Sequence, residues 1–182
     1  MYEQFKNRAE GVSAEVYRFA AKDATLDWLI GFLQREGLAG TPQASALWAE
    51  CSFLDGMDRD ELMQIAGLKF EVTRELAAEA KFGISQMEWA LADTGSLAQN
   101  STAMEQRLVS SLSTIHIALV PTNGILPDMP ALLSRVQPKD CAYLAMITGP
   151  SRTADIERVL TIGVHGPERL VIVFVDELGG NN

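Results

Sequence analysis

Cysteine and histidine are both scarce in this chain, and that scarcity removes whole classes of chemistry. Cys51 and Cys141 are the only two cysteines in 182 residues, and no CxxC pair exists. Two isolated thiols cannot supply the four thiolates of an iron–sulfur cluster. They read as reduced, buried thiols of a cytosolic protein. The two histidines, His116 and His165, do not form a zinc-ligand spacing, so no metal is expected. Long apolar runs are also missing. The longest, "LVIVFV" and "IALVP", fall far short of the roughly 20 residues needed to cross a bilayer. The start, "MYEQFKNRAE", has no apolar stretch behind a basic segment. A soluble, cytoplasmic protein without membrane insertion is the expectation. Basic blocks are absent too: 15 basic residues stand against 24 acidic ones, a net charge of −9. Such a balance disfavours nucleic acid and anionic membranes as partners, although a local basic pocket stays open. Neither GxGxxG after a strand nor GxxxxGK[ST] occurs, nor a GxSxG elbow. Classical dinucleotide, nucleotide-triphosphate and serine-hydrolase loops are therefore unsupported, and no cofactor is expected. Repeats and low-complexity tracts are absent as well.

What is present is an ordinary globular composition, 47% apolar, in a length that suits one domain over residues 1–182. Residues 1–10 read as a short N-terminal helix. "AEVYRFA" and "SALWAEC" read as strands. Between them, "TLDWLIGFLQREG" places Leu26, Leu29, Ile30 and Leu33 on one helix face, and Gly37 ends it. "DRDELMQIAG" is a helix with Asp58 and Glu61 at capping-box spacing. Ser85 and Glu88 have the same spacing, so a short helix is expected there, giving way to an extended piece near "ALADTGSLA". Met87 and Trp89 beside it read as packing residues rather than a cofactor site. Glu105 to Leu112 reads as helix, "TIHIALVP" as strand, "DMPALLSRVQ" as helix and "CAYLAMITG" as strand. Thr153 to Ile162 is expected to be helical, with Ile156, Val159, Leu160 and Gly163 on one side. "RLVIVFVD" closes as a strand whose continuous apolar run signals burial on both faces. Alternation of this kind marks an α/β fold with a largely parallel sheet flanked by helices. Ligands in such folds collect at the carboxyl ends of strands.

Three constellations could carry chemistry. In "MITGPSRTADIE", Gly149 and Pro150 turn the chain, and Ser151, Arg152 and Thr153 precede a helix. Free N–H groups at a helix start, with these donors, could cradle a phosphate or carboxylate. The alternative is that Ser151 or Thr153 merely caps the helix, which Asp155 and Glu157 would suit. In "ALADTGS", Asp93, Thr94 and Ser96 surround Gly95. These could grip a hydroxylated ligand or do acid/base work, or could form a plain turn. In "VHGPE", His165 and Gly166 lie between a helix and the last strand. His165 could titrate near neutrality or interact with the last helical carbonyls. His116, inside an apolar strand, reads as a core histidine.

The segments "GISQMEWALADTGSL", "STIHIALVP" and "ITGPSRTADIERVLTIGVHGPERLVIVFVDE", in that order, resemble the LUD-domain family. The resemblance runs from about Lys81 to Glu177, and the run "GPSRTADIE…GVHGP" is its most specific part. Members with iron–sulfur clusters carry cysteine-rich segments that this chain lacks, so it is similar to the cluster-free C type. For that type it is short at the N-terminus, which makes residues 1–10 read as a shortened extension. The resemblance implies a Rossmann-like sheet similar to ribose-5-phosphate isomerases and CoA transferases. It also implies work beside iron–sulfur partner proteins in oxidising L-lactate to pyruvate, as a subunit whose own chemistry it leaves open. The alternative is a stand-alone transferase or isomerase acting on a phosphorylated sugar or acyl-CoA. The resemblance joins Asp93, Thr94, Gly95, Ser96, Gly149, Ser151, Arg152 and Thr153 into one pocket for a small anion, with His165 and Gly166 nearby. Asp93, His165 and Glu157 are the candidates for a catalytic role. A homo-oligomer is also compatible with the sequence.

Overall fold

A computed structural model of the chain describes residues 1–38, 40, 44–137, 139–154, 160–162 and 166–179. Helix α1 (Tyr2–Gly11) leads into β1 (Glu15–Phe19), α2 (Lys22–Arg35) and β2 (Ala46–Trp48). Then come α3 (Arg59–Met63), β3 (Leu68–Lys69), α4 (Arg74–Glu79) and β4 (Phe82–Gln86). A second group follows: β5 (Trp89–Leu91), β6 (Ser96–Asn100), α5 (Met104–Leu112), β7 (Ile115–Pro121), β8 (Ile125–Leu126), α6 (Met129–Arg135) and β9 (Leu144–Ile147). The chain ends through β10 (Arg152–Ala154), β11 (Leu160–Ile162) and β12 (Arg169–Val175).

The main sheet has six strands in the order β1-β12-β7-β4-β2-β3. Every pairing in it is parallel. Two of its interior strands, β7 and β12, show why the apolar runs are continuous. On β7 and β12, Ile117, Leu119, Val171 and Val173 face α2 and α3, where they meet Leu29, Phe32, Leu33 and Leu62. The alternate residues Ala118, Val120, Leu170, Ile172 and Phe174 face the opposite way, onto Phe5 and Ala9 of α1. Period-two alternation with both faces apolar leaves few polar positions in these strands, Arg169 at the start of β12 and the buried His116 in β7. That second face is shared with a smaller, four-stranded sheet, β8-β5-β6-β9. Ala90 and Leu97 are its inward contribution, joined by Met87 just before β5. Its outer face packs Leu91, Ala98 and Leu126 on Leu132 of α6.

Most expected elements form where the periodicity put them, and the Asp58 cap is present: its carboxylate accepts from the N–H groups of Asp60 (3.0 Å) and Glu61 (3.2 Å). Two expectations fail. Ser85 does not cap a helix; it sits inside β4, fully buried between β2 and β7. The Ser–Glu spacing is met by chance, and burial of Phe82 and Ile84 in the core on one face of the strand selects the extended chain instead. The segment 153–162 is not a helix at its described ends. Arg152–Ala154 pairs antiparallel with Leu160–Ile162, Thr153 standing opposite Thr161. β-Branched Thr153, Thr161 and Ile162 favour that extended pairing. Residues 155–159 lie outside the described residues.

Candidate functional site

The carboxyl ends of β2, β4 and β7 open onto a cavity of about 260 Å³. Glu50, Cys51 and Ser52 line it after β2, Gln86 and Glu88 after β4, Pro121 at the end of β7, with Gln106 and Gly179. Glu88 stands where the chain leaves the main sheet for the smaller one. Its half-buried carboxylate accepts the Asn100 N–H at 2.9 Å. Burial pushes the Glu88 carboxyl up to about 7, against the opposing pull of that N–H.

Amide side chains fix the walls. The buried Gln99 donates through Nε2 to the Gln86 carbonyl (2.6 Å) and to Gln106 Oε1 (2.8 Å). Ser101 donates its hydroxyl to Gln99 Oε1 at 2.6 Å, which sets the orientation of that amide. Gln106, in the first turn of α5, donates to the Glu50 carbonyl at 2.6 Å. Gln86 accepts the Phe53 N–H at 2.9 Å and donates to Ser52 Oγ at 2.9 Å. Loops after β2, β4 and β6 are thereby tied to one another and to a helix start. At the rim, Arg59 grips Glu50 with two guanidinium nitrogens and holds that carboxyl below its usual range. Burial pushes the Cys51 thiol up, so it is a neutral thiol at physiological pH. Among the described residues lining the cavity, none is basic. A carboxyl poised near neutrality among fixed amides can donate a proton or accept one within the same pH range.

In the sequence, Glu88 stands out only as the second half of a capping box. The usable signal was positional: an acid immediately after a parallel strand, where such folds place their ligands. The Ser85–Glu88 spacing hides it by giving the strand the look of a helix start.

The residues singled out from the sequence lie elsewhere. Asp93 and Thr94 are exposed in the turn joining β5 to β6, while Gly95 and Ser96 are buried. Ser96 Oγ lies 2.7 Å from Thr148 Oγ1, which brings the "DTGS" turn beside Gly149. Both glycines have left-handed backbones, φ +71° at Gly95 and +68° at Gly149. Both also press on the end of α1. A Cβ on Gly95 would lie 2.4 Å from Ala9 N, and one on Gly149 would lie 2.5 Å from the Val12 carbonyl oxygen. Arg152 donates through Nη2 to that same Val12 oxygen (2.7 Å) and to Ser13 Oγ (2.8 Å). The Ser151 N–H donates to the Pro167 carbonyl at 2.8 Å, and Gly166 packs on the Ser151 side chain. Two of the expected segments are thus neighbours, with Gly166 beside Ser151. They surround the stretches entering β1 and β12, at the amino edge of the main sheet. The helix start on which the anion reading of Ser151–Thr153 rested is replaced by β10, which holds Thr153. His165 and Glu157, and Asp155 with them, lie outside the described residues.

His116 is a core histidine. It is fully buried in β7, with Nε2 2.8 Å from Ser85 Oγ, and burial pushes it down to about 3. Its Nδ1 has no hydrogen-bond partner among the described residues. No cluster of three or more His, Cys, Asp or Glu among the described residues could hold a metal. Nor is any described helix long and apolar enough to cross a membrane.

The model of the LUD domain matches residues 2–175. The chain belongs to the LUD domain family. Among this member's relatives is lactate utilization protein C of an Exiguobacterium species, 35% identical over 114 residues, which cover 59% of this chain and 50% of that protein. Lactate utilization protein C of Bacillus subtilis is 35% identical over 117 residues, 60% of this chain and 48% of that one. The chain spans about half the length of the curated relatives it matches. A crystal structure of a DUF162 family protein from Deinococcus radiodurans superposes with a TM-score of 0.62 at 17% identity, covering 96% of this chain and 95% of that one. At that identity the likeness speaks for the fold, an α/β architecture with a parallel sheet flanked by helices.

Proposed function

We propose that this LUD-domain protein works in lactate utilisation as a cluster-free subunit, with the carboxyl-edge cavity as its ligand site. The relatives named lactate utilization protein C support the process. The observation that carries the site is Glu88, a half-buried carboxyl pushed up to about 7 inside a polar cavity at strand ends. The ligand it suits is a small molecule bearing a hydroxyl or carbonyl beside a carboxylate. Protonated Glu88 donates to that oxygen, and ionised Glu88 accepts from it when it is a hydroxyl. The uncapped first turn of α5 offers N–H groups to the ligand's carboxylate. With only Cys51 and Cys141, electron transfer falls to iron–sulfur partner proteins that this subunit docks on. The cluster of Asp93–Ser96, Gly149–Thr153 and Gly166 then serves to seat α1.

Glu88 favours a second reading, a stand-alone transferase or isomerase in which the same carboxyl moves a proton. Gene deletion separates the two. On the first reading the deletion strain fails on L-lactate as sole carbon source and grows on glucose. Normal growth on L-lactate, in a strain without a paralogue, removes the lactate reading and leaves the second.

A further inference from the structure

A second concavity lies between α2 and α3, with a volume of about 460 Å³. Its floor is apolar. Leu26 and Ile30 stand one turn apart on α2, and Met57, Leu62 and Ile65 come from α3 and its flanks. Leu62 is buried, whereas Leu26, Ile30, Met57 and Ile65 are only partly covered by the core beneath them. Its rims are acidic on both sides: Asp23 and Asp27 from α2, Asp58 and Glu61 from α3. All four are exposed, and none forms an ion pair among the described residues. The neighbouring cation, Lys22, donates instead to the Asp55 carbonyl and sits over the Phe53 ring.

An apolar floor between unpaired carboxylates selects its occupant by charge. An acidic or neutral segment would strand the rim carboxylates against desolvation or repulsion, while a free cation has no use for the floor. We propose that this groove docks a basic amphipathic helix of a partner protein. Apolar residues at i, i+3 and i+4 would enter between Leu26, Ile30 and Ile65, and flanking lysines or arginines would meet Asp23, Asp27, Asp58 and Glu61. The groove shares no lining residue with the cavity at Glu88, so the inference does not rest on the ligand site.

The test uses fluorescence anisotropy on the full chain. The probe is a labelled helical peptide of about 18 leucines and lysines in amphipathic order, with a leucine–glutamate peptide as its counterpart. The expected result is binding of the basic peptide alone, weakened at least about ten-fold by Asp27→Asn with Glu61→Gln, and likewise by Ile30→Ala. The pair Glu71→Gln with Glu79→Gln changes the net charge equally at exposed sites away from the groove. It should shift affinity by less than about two-fold. Thermal melts of each variant show that the fold survives. Equal weakening by the Glu71/Glu79 pair reduces the effect to the overall acidity of the chain and overturns the proposal. So does binding that ignores the groove variants. Sedimentation equilibrium supplies the other arm: a dimer that the groove variants dissociate makes a second copy the occupant, and the partner helix is then wrong.

Discussion

At the amino edge of the main sheet, backbone packs on backbone; at the carboxyl edge, carboxyls and amides face a cavity. Around Gly95, Gly149 and Arg152 every observed polar contact is internal, and the close approaches are to the main chain of residues 8–12. Around Glu88, the fixed amides of Gln99, Gln86 and Gln106 leave an open volume. A stretch dense in glycine, serine and arginine can therefore be a keystone, while a site can be assembled from glutamines and a glutamate that form no motif. Tight turns need glycine for steric reasons, which makes them conspicuous in a sequence whether or not they touch a ligand.

The contrast breaks most visibly if the amino edge is overfilled. Gly95→Ala puts a methyl group against Ala9 N in a left-handed backbone, and should cost about 3 kcal/mol or more of stability. Urea denaturation reads it; a near-neutral result would mean that α1 is not seated on this turn.

Next in size is the core between the edges. His116 titrates at about 3 when folded and near 6.5 when unfolded. The unfolded chain binds the proton first, so stability is whole above pH 6.5 and falls as pH drops towards 3. The loss between neutrality and about pH 4.5 should be about 2–3 kcal/mol, and His116→Gln should remove it. An unchanged acid limb in the variant would assign acid sensitivity to other groups.

Glu88 has the opposite sign. Its folded value of about 7 exceeds the unfolded 4.5, so its stabilising contribution is whole below pH 4.5 and is lost as pH rises through 7. Glu88→Gln should therefore be about 3 kcal/mol more stable than the parent near pH 9 and no different near pH 4. Site carboxyls held against their solvation carry that cost, and a variant that melts earlier at alkaline pH would contradict the burial argument.

The smallest effect belongs to Arg152. Arg152→Ala removes two exposed hydrogen bonds at the α1–β1 corner and should lower stability by about 1 kcal/mol, seen as a shift of a few degrees in Tm.

The sequence made the main sheet legible because its strands carry unbroken apolar runs such as "LVIVFV", and its long helix a clean stripe at Leu29 and Leu33. What it hid was long-range. Whether Ser85 caps a helix or pairs with its neighbours in a strand depends on β2 and β7, which lie dozens of residues away. The segment 153–162 carries apolar spacing that suits a helix and β-branched residues that suit a strand, and pairing decides. The family resemblance, not a local pattern, put "DTGS" beside "TGPSR"; the contact of Gly95 and Gly149 with the end of α1 was not legible, because no local pattern says where an N-terminal helix docks. Glu88 stayed hidden for the same reason as Ser85.

The most direct test of the account is complementation of the deletion strain by two variants that both fold, Glu88→Gln and Arg152→Ala, during growth on L-lactate. The account predicts that Arg152→Ala restores growth in proportion to its folded amount while Glu88→Gln, at full abundance, does not. Growth restored by Glu88→Gln and lost in a stably folded Arg152→Ala would move the working site to the amino edge and contradict it.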